Sequence, residues 1–260
     1  MVRDFEGQWG LILGGSSGLG YASALKLAQH GMNLIIFYRA PRRDEQKIES
    51  KFDKIRAQGV ELYAFNKDAT REDLLEDLKT LVKEKLNGKS INLLLHSISK
   101  GNLKPLLGDN RLKNSDFTQT LNSMALSLHF WTQALIENDL FEKSARILSF
   151  TSEGSQRPSA GYAAVSVAKA ALEMLTKSMA VELAPLGLRA NCIQAGVTDT
   201  VSLKMIPDYE GIKNHATNRN PYQKLTTPER VADVVYLLCK REAQWINGTV
   251  IKVDGGESLR

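Results

Sequence analysis

Tyr162 and Lys169 stand seven residues apart in the run GYAAVSVAK (161–169), which stays rich in alanine as far as Glu182. At about 100° per residue this spacing comes within roughly 20° of two helical turns and rises about 10.5 Å, so a phenol and an ammonium look the same way. A phenol can donate to an oxygen that becomes negative during a reaction. An ammonium nearby lowers the phenol's pKa and can hold a sugar hydroxyl. A core aromatic and a solvated lysine fit the same periodicity, so the pair points to chemistry only if a second site agrees.

That second site is the turn LGGSSGLG (13–20), between an apolar run and a helical pattern. Glycines suit such a turn because the backbone must bend sharply, approach a pyrophosphate closely and let helix pack on strand, while free helix N–H groups meet the phosphate. The strand-to-helix context makes Gly14, Ser16, Ser17, Gly18, Leu19 and Gly20 candidate cofactor contacts. After the second apolar run, where a carboxylate would hold a ribose 2'-hydroxyl, the chain reads YRAPRR (38–43). A carboxylate would repel a 2'-phosphate and guanidinium groups bind one, so Arg39 and Arg42 favour NADPH over NADH.

Apolar runs at 9–13, 34–38, 62–65, 91–95, 147–150, 188–193 and 249–253 read as strands. Helical patterns at 19–30, 42–58, 71–86, 115–138, 162–183 and 228–240 separate them. Strands joined by helices must run parallel, and right-handed helical crossovers cover both faces, which explains runs that are apolar throughout. The expected fold is α/β, a Rossmann-type doubly wound sheet of seven parallel strands in a single domain over 1–260. Thr70, Ser115 and Thr227-Pro228-Glu229 read as helix starts. Two segments rich in Gly, Pro, Asn and Lys, 100–114 and 201–226, fit neither pattern. Ligands bind beyond the carboxyl ends of strands in such sheets, so the second segment, about 200–226, is expected to cover substrate, with apolar contacts near Ile206 and Tyr222.

The chain has 260 residues, 43% hydrophobic and 24% charged. No apolar run reaches the roughly 20 residues of a membrane helix, and the amino-terminal stretch carries acids where a secretory leader is apolar, so a cytoplasmic protein is expected. Cys192 and Cys239 lack metal or redox spacing, and His30, His96, His129 and His215 are scattered, so no metal is expected. The net charge of +5 is spread along the chain and comes with no nucleic-acid module, which suits an acidic partner or anionic ligand instead.

With these motifs in place the chain resembles the short-chain dehydrogenase/reductase family over essentially its full length. Gly14, Gly18 and Gly20 match the TGxxxGxG turn, with Leu13 for threonine. The resemblance implies adenine contact at Asp68-Ala69, a relay asparagine at Asn122, the family serine at Ser152, and nicotinamide contact from Gly196, Val197, Thr198 and Thr200, with Ala195 for proline. Val253-Asp254-Gly255-Gly256 looks like the carboxyl-terminal signature. Two departures stand out. The usual pattern is YxxxK, but Val165 stands four before Lys169, and the usual NNAG is replaced by His96-Ser97-Ile98-Ser99. Both resemble the enoyl-acyl-carrier-protein reductase branch, with Y-x6-K and HSI, and within it the NADPH-using bacterial short-chain-like type. This implies Tyr162 and Lys169 as catalytic pair, Ser152 and Asn122 as helpers, and cofactor contact from His96, Ser97 and Ile98. It further implies NADPH as cofactor, acyl carrier protein bearing the enoyl group as partner, and a homotetramer. The alternatives are a 3-ketoacyl or other carbonyl reductase, and a non-catalytic NADP(H) sensor.

Overall fold

The computed structural model describes residues 2–71, 73–86, 88, 90–206 and 208–260; Glu72, in the predicted 71–86 helix, and Pro207, in the 201–226 segment, lie outside them. The described elements are, in chain order, β1 (Trp9–Leu13), α1 (Gly18–Gln29), β2 (Asn33–Tyr38), α2 (Glu45–Arg56), β3 (Leu62–Asn66), α3 (Leu74–Lys85), β4 (Ile91–His96), α4 (Asn114–Leu121), α5 (Ser127–Glu137), β5 (Phe141–Ser152), α6 (Ala163–Glu182), β6 (Arg189–Ala195), α7 (Val201–Lys204), α8 (Tyr209–Arg219), α9 (Pro228–Cys239) and β7 (Val250–Val253). The seven strands form one parallel sheet in the order β3-β2-β1-β4-β5-β6-β7, the fold expected from the alternating pattern.

Side chains alternate across a strand, so a strand buried on both faces must be apolar at every position. In β1, Trp9, Leu11 and Leu13 join the core under α3, α5 and α6, with Leu78, Trp131 and Leu172. Ile12 joins the opposite core with Leu27 of α1, Phe52 of α2 and Val235 of α9. The same split divides β2, with Ile35 and Phe37 on one side and Leu34 and Ile36 on the other. Removing a fully buried ring such as Phe37 would cost about 3–5 kcal/mol, so both layers are needed.

Most boundaries move little, and the larger shifts have local causes. β5 begins at Phe141, six residues before the apolar run, and sequence pattern hides this because Glu142, Lys143 and Ser144 are exposed and polar. α3 begins at Leu74, not after Thr70, because the Thr70 amide (3.1 Å) and hydroxyl (2.7 Å) donate to Asp68 in a turn of their own. The 115–138 helix is interrupted by a π turn at Asn122–Leu126. At the Ser115 start, α4 already begins at Asn114, and the Asp116 carboxylate accepts the Lys113 N–H at 2.9 Å. Thr227 does cap α9, accepting from the Arg230 N–H at 3.5 Å. The 201–226 segment holds α7 and α8, while 100–113 contains neither helix nor strand.

The register places Leu13 beside His96, His96 beside Ser149 and Ser152 beside Ala195, so the carboxyl ends of β1, β4, β5 and β6 share one edge. The unassigned segments and the glycine turn all meet there.

Candidate active site

Above that edge lies a cavity of about 640 Å³. Gly14, Ser17, Gly18 and Leu19 form one wall, Ser97, Ile98 and the Phe150–Ser152 strand end lie at its base, and Leu203, Ile206, Ile212 and Ala216 of the 201–226 segment face it from above. Of the two apolar contacts expected, Ile206 lines the cavity, whereas Tyr222, 71% exposed, is not among the lining residues. The 201–226 segment also touches the turn after β4 directly, Ser202 Oγ lying 2.8 Å from Ser99 Oγ.

The turn has the shape of a phosphate cradle. Gly14 has φ +94°, and a β carbon there would lie 2.6 Å from the Ser97 carbonyl oxygen. At Gly20 a β carbon would lie 2.2 Å from the Gly14 oxygen, so α1 can start against the turn only without a side chain. Ser17, at the α1 N-cap, makes no side-chain cap bond, and the first turn holds no acid. Free N–H groups at a positive helix end are left for an anion.

Tyr162 is the N-cap of α6 rather than part of it, although its carbonyl already accepts the Ser166 N–H at 2.9 Å. Its ring lies against Gly154, where a β carbon would be 2.7 Å from Tyr162 Cε1. Burial pushes the phenol pKa up, and the Ser152 hydroxyl opposes this in part, although Ser152 Oγ makes no well-formed hydrogen bond. The group expected to lower the phenol's pKa was Lys169; the structure gives that part to Ser152. The phenol stays protonated and able to donate.

Lys169 is 6% exposed, and its ammonium donates to the Phe150 carbonyl at 2.6 Å. Burial lowers its pKa to about 8 although Cys192 and Glu173 pull it upward. A buried ammonium with one backbone partner, lining the same cavity as Tyr162, has N–H donors to spare for a ribose hydroxyl. Val165, where YxxxK has its tyrosine, packs with Met124 and Ala168 in an apolar cluster that Tyr162 and Leu103 flank.

Not every expected residue joins this group. Asn122 is exposed at the start of the π turn and outside the cavity lining, whereas Met124, two residues on, is buried and lines it. Asn122 therefore does not reach the cavity, and an apolar thioether faces it instead. His96 is fully buried behind the lining, bonded through Nε2 to Ser127 Oγ at 2.8 Å, and burial holds its pKa near 3, so it is a neutral support for Ser97 and Ile98. Ser16 and Gly20 shape the turn, and Gly196, Val197, Thr198 and Thr200 line the cavity. Sequence reasoning missed Gly154, Met124, Glu257 and Arg219, all of which line it.

On the outer side, Arg39 and Lys100 share one Asp68 oxygen, at 3.3 and 3.4 Å. Burial would raise the Asp68 pKa, but the Thr70 bonds and Lys100 prevail and lower it. Ala69 is buried and its carbonyl takes the Trp131 indole N–H at 2.7 Å. Asn66 clamps Ala40 through two bonds of 3.0 Å, holding the turn from which Arg39 and Arg42 project into solvent.

A family model described as "Enoyl-(Acyl carrier protein) reductase" matches residues 14–258. The chain belongs to the short-chain dehydrogenase/reductase family. Members of this family are NAD(P)-dependent oxidoreductases. A 3-oxoacyl-acyl-carrier-protein reductase of Aquifex aeolicus is 28% identical over 98% of this chain and 99% of its own length. The enoyl-acyl-carrier-protein reductase of Bacillus cereus, solved with NADP+ and an indole naphthyridinone, superposes with a TM-score of 0.88 at 26% identity over 100% of this chain and 99% of that one. The NADH enoyl-acyl-carrier-protein reductase of Aquifex aeolicus gives 0.84 at 25% identity, covering 98% of each chain. Among the described residues, no helix of this family member is long and apolar enough to cross a membrane, and no group of His, Cys, Asp and Glu could hold a metal ion.

Proposed function

We propose that the chain reduces trans-2-enoyl thioesters with NADPH, acyl carrier protein being the carrier of the enoyl group. The observation that supports this reading most strongly is the apolar packing of Val165 with Met124, while among the described residues the only phenol lining the cavity comes from Tyr162, at the start of α6. In ketone reduction, hydride lands on the carbon that carries the oxygen, so the acid must stand beside the hydride acceptor. In enoyl thioester reduction, hydride adds to the β carbon and charge appears on the thioester oxygen, two carbons away. The acid must stand elsewhere.

The turn at Gly14–Gly20, the loop from Gly196 and the ammonium of Lys169 are the residues that would hold NADPH, which supplies the hydride when bound. Tyr162 donates to the thioester oxygen as it becomes an enolate, a role commonly worth a few kcal/mol. Lys169 would hold the ribose hydroxyls and would add positive charge near that oxygen. Ser152 steadies the phenol, the lid shields the hydride transfer from bulk water, and a solvent proton taken up at the α carbon afterwards completes the saturated thioester. Net charge of +5 suits an acidic carrier.

A second reading has its own support. The Aquifex aeolicus relative is named as a 3-oxoacyl reductase, and similarity to named curated relatives favours carbonyl reduction over enoyl reduction. The displaced hydroxyl favours the enoyl reading. Incubation with crotonyl thioester and NADPH deuterated at the transferred position, followed by NMR of the product, tests it. Deuterium at the β carbon of a butyryl product is the expected result; no reduction of the double bond overturns the proposal.

For the cofactor, Arg39→Ala with Arg42→Ala is expected to lower the kcat/KM ratio of NADPH over NADH by about 10–100-fold, the value of one or two charge-assisted hydrogen bonds. An undiminished ratio removes the 2'-phosphate role.

A further inference from the structure

We propose that Arg219, on the last turn of α8, and Glu153 are a positioning pair that ties the placement of the Tyr162 phenol to the docking of the lid helix; the inference rests on Tyr162 being the acid of the reaction. The Arg219 side chain is only 12% exposed, although it borders the cavity. Its guanidinium grips both Glu153 carboxylate oxygens, at 2.9 Å to Oε2 and 2.7 Å to Oε1. The remaining contacts are its Nε donating to the Arg260 carbonyl at 2.7 Å and an Nη2 bond of 3.0 Å to the Glu257 carbonyl. A fork that satisfies four acceptors at once fixes orientation as well as distance.

Each arm reaches the catalytic centre. Glu153 directly follows Ser152, and the next residue, Gly154, lies so close to the Tyr162 ring that a β carbon would sit 2.7 Å away. Ring and turn therefore move together, and what fixes Glu153 fixes the phenol. On the other side Glu257, 2% exposed, accepts the Val197 N–H at 3.1 Å, holding the loop expected to face nicotinamide. A β carbon on Gly196 would lie 2.8 Å from the same Glu257 oxygen. One side chain on the lid thus braces the acid and the cofactor loop. Lysine cannot replace it, because a point charge does not hold two oxygens in a plane.

Arg219→Lys, Glu153→Gln and the double variant test this, with kcat, KM for thioester, NADPH affinity by fluorescence, and melting temperature measured for each. Each single variant is expected to lower kcat about 10–100-fold, the cost of a misplaced group, with a smaller change in KM; NADPH affinity should hold in Glu153→Gln and weaken less than kcat in Arg219→Lys, which also loses its bond to the Glu257 carbonyl. The double variant should be no slower than the slower single one, because the two act as a unit. Wild-type kcat in folded Arg219→Lys, a loss confined to KM, or multiplying effects would overturn the proposal. If Arg219→Lys does not fold, Glu153→Gln, nearly isosteric, decides alone. Tyr162→Phe run alongside separates the two levels. Unchanged kcat there refutes the parent reading, whereas a slow Tyr162→Phe with a fast Arg219→Lys refutes only the pair.

Discussion

Tyr162→Phe is expected to lower kcat by about 10²–10³ while NADPH affinity stays near that of the native protein, because the substitution removes one donor aimed at developing charge and nothing that holds the cofactor. The ring keeps its place against Gly154 and the Val165 cluster, so the variant should fold. The phenol is held protonated by burial, and Ser152 is the group that eases its charge. A donor is wanted here, so a raised pKa is no handicap. Steady-state turnover with a fluorescence titration of NADPH checks both halves. Turnover equal to the native protein would show that the reaction has no use for this hydroxyl.

Lys169→Met should cost more than turnover, since the ammonium is placed to hold the cofactor as well as to stabilise charge. Both kcat and NADPH affinity are expected to fall, kcat by about 10²-fold or more. The native protein should reveal the same group through pH. Burial has brought the Lys169 pKa down from 10.5 to about 8, so the free enzyme loses the charge as pH rises through about 8. The kcat/KM for NADPH should then fall about tenfold per pH unit above that point. Stability should move the other way. Between about 8 and 10.5 the unfolded chain still binds a proton that the folded chain has released, so this residue's contribution to stability grows with pH. In Lys169→Met that increment should be missing when its melting curve is compared with the native one across the same range. A native kcat/KM that stays flat to pH 10 would contradict the assignment.

Much of this was legible in sequence for a physical reason. Strands buried on both faces are apolar without interruption, as in β1 and in β2 from Leu34 to Tyr38, and such runs between helical patterns admit few arrangements other than a parallel sheet. The glycine turn showed because Gly14 and Gly20 leave no room for a side chain. Tyr162 and Lys169 showed because a helical period links them, and starting α6 one residue later barely disturbs it. What failed depended on backbone detail or long range. A π turn over Asn122–Leu126 changes which side chains face inward, so the family resemblance pointed to Asn122 where Met124 faces the cavity. Helix α8 buries only Ala216 among its own residues, too little apolar periodicity to reveal a helix. Arg219 and Glu153 lie 66 positions apart, and an ion pair across that distance leaves no local pattern. His96 matched a motif, yet its complete burial and its bond to Ser127 place it behind the site rather than in it.

The most direct trial of the account is NADPH oxidation followed with two matched four-carbon thioesters, crotonyl and acetoacetyl, on the same carrier. The displaced phenol predicts turnover of the crotonyl compound with a clear advantage in kcat/KM. Turnover of the acetoacetyl compound with none of the crotonyl would contradict it and assign the chain to carbonyl reduction.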